Sequence, residues 1–309
     1  MNKRRRYAVI LLVTVLLCCL MPALATQSRA TGVEESTNSA VDTPAVGDEI
    51  GLAAVQAVVY DTAAGASLYE KSNSSGKVYP ASITKLFSAF VALQYMDAET
   101  LITAGSELDF VAADASVAAI SRGQTLSVSM LVEGMLLPSG NDASYILATA
   151  TGRKIAGDPE LSPPEAVQVF VDEMNTVAKS LGLRNSHFMN PDGYHMGGHY
   201  SSIPDLLKIA QLALENPIIS QYVDIFRDDV VYASGETNSW ENTNELLNPD
   251  SDYYREDICG LKTGYTSQAG NCLISAFRRE EGFVIIGVFG CKEPEQRFED
   301  TITLIEQFG

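Results

Sequence analysis

The stretch Tyr79-Pro80-Ala81-Ser82-Ile83-Thr84-Lys85-Leu86 reads as a turn opening onto a helix, with Ser82 and Lys85 three residues apart. Residues at that spacing share a helix face, so a hydroxyl and an amine stand side by side. Serine is a poor nucleophile at its free pKa and needs an adjacent base. Lys85 can be that base only if burial or a second cation destabilises its ammonium. The start of the helix also offers the Ser82 backbone N–H to a developing oxyanion.

Working outward, two more short motifs follow in order. Ser139-Gly140-Asn141 comes directly after an apolar helical run and Pro138, on a tight loop. A hydroxyl there suits relaying a proton between a lysine and a leaving amine, and the Asn amide, which both donates and accepts, suits holding a peptide backbone. Alone, this triplet reads as an ordinary turn. Lys262-Thr263-Gly264 lies on an expected strand, where an extended substrate pairs by β-augmentation. Gly264 admits a close backbone, while Lys262 and Thr263 present a charge and a hydroxyl to a carboxylate. Lys262 is also the expected second cation near Lys85, and Tyr265 is expected to supply a second oxyanion N–H from its backbone. Two decoys measure how weak the pieces are singly. Ser74-Ser75-Gly76-Lys77 repeats Ser-x-x-Lys among turn residues, and Ser36-Thr37-Asn38 repeats Ser-x-Asn in an acidic spacer. Lys-Thr-Gly occurs once, and the ordered set describes a serine acyl-transfer site whose base is a lysine.

Length and charge bound the rest. A chain of 309 residues can bury a sizeable core. Lys3 to Arg6 form a basic start, Tyr7 to Leu20 is apolar with one Thr, and Ala23-Leu24-Ala25 offers small residues for cleavage. This is the pattern of an export signal over residues 1–25. The alternative is an uncleaved membrane anchor, although the run is short for a span of about 20 residues. Removing that segment takes away four of the 21 Lys and Arg and no acid, leaving 17 against 39 acids, a net −22. Such a surface argues against nucleic acid and anionic lipid as partners. Residues 26–50 are Ser, Thr, Ala, Gly and acid without aromatics, a flexible spacer. A folded body is expected over 51–309.

Within the body, Val55 to Tyr60 and Ser67 to Tyr69 read as strands around an Asp61–Gly65 turn, and a helix runs from Pro80 to about Tyr95. Helices are expected over 126–137, 142–151, 164–181 and 204–215. Strands are expected over 259–264, 271–277 and 283–289, and a last helix over 295–307. Strands at both ends with helices between imply one sheet built from the two termini. Three cysteines fall in the body. Cys259 and Cys272 either face each other across a hairpin or, with Cys291, act as small buried apolar residues.

The three motifs with their flanks resemble those of the D-alanyl-D-alanine carboxypeptidases, low-molecular-mass penicillin-binding proteins. The likeness extends from about Ala53 to Phe308. It includes Gly134-Met135-Leu136-Leu137-Pro138 before the second motif, Asn190-Pro191-Asp192-Gly193 leading to His199-Tyr200-Ser201-Ser202, and Trp240 with Asn244 to Leu247. It also includes Ala269-Gly270-Asn271-Cys272 after the third motif. The resemblance implies an α+β fold of the β-lactamase/transpeptidase type: an antiparallel sheet of about five strands with helices on both faces and a helical subregion. It implies that Ser82 forms an acyl-enzyme on peptidoglycan stem peptides ending in D-Ala-D-Ala, with β-lactams as acylating inhibitors and no cofactor. Arg297 falls where the family carries an arginine for the substrate carboxylate, and Asp205 is expected to support the site rather than react. Three features depart from the pattern. The chain ends soon after its last helix, so a membrane tether is expected only at the N-terminus. Asp192 stands where a His is common, and Gly140 replaces the Asp of class A β-lactamases.

Other readings fare less well. His187, His195 and His199 cluster without supporting Cys or Glu spacing, so a structural loop is expected rather than zinc. No Gly-x-Ser-x-Gly elbow suggests a Ser-His-Asp hydrolase. A β-lactamase or transpeptidase on the same scaffold is the runner-up, and Glu133, near the second motif, is expected on a helix surface rather than as a lactamase carboxylate. A sensor that acylates without turnover would need a partner-coupling segment beyond the N-terminal spacer.

Overall fold

The computed structural model describes residues 50–71 and 76–309. The export signal, all of the spacer but Ile50, and the decoy serines Ser36 and Ser74 lie outside the described residues. β1 (Gln56–Asp61) and β2 (Ala66–Lys71) form a hairpin. Asp61 sets its turn by accepting the Ala63 and Ala64 amides at 2.9 and 3.0 Å. The two-residue β3 (Lys77–Val78) leads to a 3-10 turn over Ala81–Ile83 that runs straight into α1 (Thr84–Ala92). β4 (Leu101–Thr103) pairs with β5 (Thr125–Ser127), followed by α2 (Val128–Leu136), α3 (Asn141–Ala156) and α4 (Pro163–Ser180). β6 (Ser201–Ser202) pairs back to β3, then come α5 (Ile203–Glu215) and α6 (Pro217–Val223). β7 (Arg227–Val231) and β8 (Thr237–Glu241) make a ribbon. β9 (Ile258–Thr266), β10 (Gly270–Arg278), β11 (Phe283–Cys291) and α7 (Gln296–Phe308) complete the chain.

The main sheet has the order β2-β1-β11-β10-β9, antiparallel throughout, so the two ends of the body meet at β1 and β11. Period-two alternation divides its side chains between two cores. Val58, Ile274, Ala276 and Ile285 belong to the core that also holds Leu86 and Phe87 of α1, Leu131 of α2 and Leu206 of α5. Ala57, Val59, Leu273, Val284 and Ile286 face the opposite way onto Phe298, Leu304 and Ile305 of α7. Each large apolar side chain fully buried this way contributes about 1.5–3 kcal/mol. The Asp300 carboxylate closes the α7 side by accepting the Ala53 and Ala54 amides at 3.0 and 2.6 Å. The expected five-stranded sheet with helices on both faces is therefore present, and β9 is an edge strand.

The differences from expectation are local. The helix expected from Leu126 starts at Val128, because Thr125–Ser127 pairs with β4 and Ser127 caps the helix by accepting the Met130 amide at 3.2 Å. α3 runs past Thr151 to Ala156, where Gly157 at φ +68° turns it off. Cys259 and Cys272 do not face each other. Cys272 sits opposite Gly264 near the turn, whereas Cys259 adjoins the Ile258–Phe277 pair at the other end, and all three body cysteines are free. Glu133 is not on the surface: it is 3% exposed, on a helix whose Leu131, Val132, Met135 and Leu136 are buried as well. No described helix is long and apolar enough to cross a membrane.

Candidate active site

A cleft of about 510 Å3 opens between the start of α1, the loop before α3 and the edge strand β9. Ser82, Ser139, Asn141, Thr263, Gly264, Tyr265 and Arg297 line it, so these expected residues converge from four separate parts of the chain. Lys85 and Lys262 lie fully buried. The helical spacing delivers what it promised: Lys85 Nζ donates to Ser82 Oγ at 2.9 Å.

Lys85 has two further acceptors, Asn141 Oδ1 and the Asp192 carbonyl, each at 2.7 Å. Its ammonium therefore spends all three protons on three oxygens. Burial pushes its pKa down to about 8, while the carboxylates of Asp192 and Asp142 pull the other way. As a neutral amine, Lys85 would keep two of these bonds and accept the Ser82 proton along the third without moving a heavy atom. Asn141 also donates through Nδ2 to Asp192 Oδ2 at 2.6 Å, so both ends of its amide are held inward. One Nδ2 proton is left over to meet a ligand. The Asp192 carboxyl is raised by burial, which the Lys85 charge counters.

The loop carrying Asp192 is fastened to α1 one turn at a time. Ser88 Oγ donates to the Pro191 carbonyl at 2.7 Å, and Gly193, at φ +82°, packs on the Ala81 carbonyl so tightly that an added Cβ would lie 1.8 Å from it. His199 accepts the Met189 amide on Nδ1 at 3.2 Å, so Nε2 carries the proton and donates to Thr84 Oγ1 at 3.0 Å. Burial takes its pKa down to about 4, keeping this a neutral strut. His187 Nδ1 lies 2.9 Å from the Gly198 carbonyl, while His195 lines the cleft, edge-on to Tyr79. Asp205 sits apart, accepting Asn185 N and Ser186 Oγ at 2.8 Å each.

Ser139 is 5% exposed and held at φ +61°, a strained conformation for a residue with a side chain. Its neighbours over-determine it. Gly140 N donates to the Gly134 carbonyl and Asn141 N to the Ser116 carbonyl, each at 2.9 Å. The Asp142 carboxylate gathers the Ala118 and Ile120 amides at 2.8 and 2.9 Å. Trp240 clamps the same loop through Nε1 to the Ala118 carbonyl at 2.9 Å.

The strand wall is different in kind. Lys262 Nζ is buried and reaches no hydrogen-bond partner among the described residues, and the same holds for Arg297 Nε. Burial, then repulsion from Lys85 and Arg297, drives the Lys262 pKa well down. The mutual repulsion of the two lysines thus falls on Lys262, which lacks acceptors, rather than on Lys85, which has three. Arg297 sits over the Phe298 ring, and burial lowers its pKa as well. Gly264 is needed for close contact with the backbone around Ser82: a Cβ there would lie 3.1 Å from the Pro80 carbonyl and 3.3 Å from Ser82 N. Thr263 and Thr243 share a hydroxyl–hydroxyl hydrogen bond of 2.5 Å.

Thr243 was not foreseen, nor was the clasp over the mouth in which Tyr194 OH donates to Asp114 Oδ1 at 2.9 Å. Tyr194 and Thr243 each adjoin a stretch that carries the resemblance, Asn190 to Gly193 and Asn244 to Leu247, without belonging to it. Chemically, the cleft brings together a hydroxyl against a depressed amine and a second hydroxyl on a strained backbone, with the buried Lys262 amine and Arg297 Nε lacking hydrogen-bond partners among the described residues.

Comparison with known proteins follows the same lines. The family model described as D-alanyl-D-alanine carboxypeptidase matches residues 40–293. The D-alanyl-D-alanine carboxypeptidase DacF of Bacillus subtilis is 30% identical over 254 residues, covering 81% of this chain, which spans only 60% of that relative's length. The solved Streptomyces K15 DD-transpeptidase is similar with a TM-score of 0.74 and 31% identity, over 82% of this chain and 96% of that one. The ampicillin-bound penicillin-binding protein D2 of Listeria monocytogenes has a TM-score of 0.67 and 28% identity, over 84% of this chain and 98% of that one.

Proposed function

Because the chain belongs to the D-alanyl-D-alanine carboxypeptidase family, we propose that it removes the terminal D-alanine from peptidoglycan stem peptides through an acyl-enzyme on Ser82. The observation that carries this is the 2.9 Å bond between Lys85 Nζ and Ser82 Oγ, with Lys262 buried and unpartnered in the same site. In this reading the substrate carboxylate settles on Thr263, Lys262 and Arg297. A carboxylate held there keeps Lys262 charged, and that charge disfavours the ammonium form of Lys85. Lys85 then takes the Ser82 proton as Oγ bonds to the penultimate D-Ala carbonyl. The oxyanion is met by the backbone N–H groups of Ser82 and Tyr265. Collapse breaks the peptide bond, the leaving D-alanine amine receives a proton through Ser139, and water releases the shortened stem. Asn141 steadies the upstream peptide with its remaining amide proton. No cofactor takes part.

β-Lactams acylate Ser82 as substrate mimics, a reading supported by the likeness to an ampicillin-bound structure. The likeness to a DD-transpeptidase favours one variant: an amine rather than water resolves the same acyl-enzyme. The protein works outside the cytoplasm, reached through the signal over residues 1–25, which either is cleaved or stays as the N-terminal tether. The test is D-alanine release from a stem pentapeptide, with and without an added amino-acid acceptor. Release by the parent and none by Ser82→Ala is the expected result. Equal release by both removes Ser82 as nucleophile, and transfer to the acceptor in preference to water selects the transpeptidase.

A further inference from the structure

A second cavity, of about 500 Å3, adjoins the cleft. The two share Tyr265, Ser267 and Gln268. Lys77, Tyr79 and Lys292 stand in its walls, and no Asp or Glu borders it, in a chain with 39 acids against 21 Lys and Arg. Neither lysine forms an ion pair with a described residue. Lys77 Nζ rests 3.7 Å from the centre of the Tyr200 ring, a contact that orients the ammonium without neutralising it. The cavity is thus a local cationic spot on an acidic protein.

Position along β9 says which part of a ligand reaches it. Gly264 lies against the backbone of Ser82. Lys262 and Thr263 precede that point and Tyr265 to Gln268 follow it. This inference rests on the reading of the cleft given above: with the carboxylate terminus at Lys262 and the reacting carbonyl at Ser82, the upstream chain leaves past Tyr265 and Gln268, the residues common to both cavities. We propose that the second cavity is an upstream subsite for a carboxylate carried on the amino side of the two alanines, with Lys77 and Lys292 as its charge partners. Stem peptides bear such a group where a glutamyl residue is joined through its side chain and its α-carboxylate is free. They lose it where that carboxylate is amidated.

The test compares three substrates on the purified 309-residue chain: an acyl-γ-D-Glu-L-Lys-D-Ala-D-Ala, its α-amide, and diacetyl-L-Lys-D-Ala-D-Ala, which ends before the subsite. Both lysines are exposed, so the parent should favour the free carboxylate over the amide by about five-fold in kcat/KM. The double variant Lys77→Gln/Lys292→Gln should treat the two alike and match the parent on the short substrate. No preference in the parent, or a preference that survives in the variant, overturns the subsite. Should the variant fail on the short substrate through misfolding, the parent's preference decides: it should shrink as salt rises from about 50 to 500 mM, and an unchanged preference overturns the proposal. Absence of D-alanine release from the short substrate by the parent would instead remove the reading of the cleft, and the subsite with it.

Discussion

The helix wall and the strand wall of the cleft each bury a lysine completely, and they finish it in opposite ways. On the helix wall, Lys85 meets Ser82 Oγ, Asn141 Oδ1 and the Asp192 carbonyl. On the strand wall, Lys262 Nζ and Arg297 Nε meet nothing among the described residues. Buried polar groups are nearly always satisfied, and each exception needs a reason. The difference teaches that one wall is closed machinery, complete before any ligand arrives. The other leaves a buried amine without a partner, which in the proposed function awaits the substrate carboxylate, and an unsatisfied buried polar group is a standing cost to the fold.

The sharpest way to break that contrast is to replace each lysine by methionine. Lys85→Met should cut β-lactam acylation and D-alanine release by about 10³-fold, the scale of a lost general base. It should also destabilise the protein by roughly 1–3 kcal/mol, since Asn141 Oδ1 and the Asp192 carbonyl lose their donor. Lys262→Met should lower kcat/KM by about 10²-fold or less, mostly through KM, as a lost charge-assisted contact to substrate. Its melting temperature should rise, because an unpartnered buried amine gives way to an apolar side chain of similar length. Melting curves of both variants beside the parent decide it. Equal destabilisation by the two would mean that the walls are not finished differently.

A smaller effect sharpens the helix wall alone. Asp192 favours the charged form of Lys85, whose pKa lies at about 8. The acylation rate should therefore rise with pH through about 8 as the amine appears. Asp192→Asn keeps an acceptor for Asn141 Nδ2 but removes the charge, so the amine forms at lower pH. The rising limb should move down by about one pH unit and the rate at pH 7 should increase. A limb that stays in place in stopped-flow acylation measurements would mean that Lys85 is not the titrating base.

What could be read without the structure followed the range of the interactions. Ser82 beside Lys85 is a one-turn relation and was legible from spacing. The strand at 283–289 was legible as an apolar run between turn residues. Its two faces were not, because nothing in an unbroken apolar run shows that Val284 and Ile286 go one way and Ile285 the other. Asp192 left no such trace: its role depends on Lys85 and Asn141, more than fifty residues away. Thr243 and the Tyr194–Asp114 clasp are likewise long-range pairs between unremarkable residues. Glu133 was misread because one acid in an apolar helix usually marks the wet face. α2 has no wet face at that position: α6 packs against the helix and Asp228 of β7 lies beside the carboxyl.

Glu133 therefore supplies the control for the comparison, since it too is buried with an unpartnered oxygen, Oε1, yet it does not line the cleft. Burial, and then Asp228 beside it, raise its pKa from 4.5 to about 8. Nature's usual answer to such a group is a proton rather than a ligand. Below about pH 4.5 the carboxyl is protonated folded or unfolded. Between there and about 8 only the unfolded chain ionises freely, so the stability contributed by the protonated carboxyl falls as pH rises through this window and is gone above it. Glu133→Gln cannot ionise. It should match the parent near pH 4 and exceed it by on the order of 2 kcal/mol at pH 9, with D-alanine release at pH 7 unchanged. Urea unfolding at the two pH values, with the release assay alongside, checks it. A variant that folds well but loses release would mean that an orphaned buried charge matters to the reaction wherever it sits, and the distinction between the open wall and the rest of the core would fail.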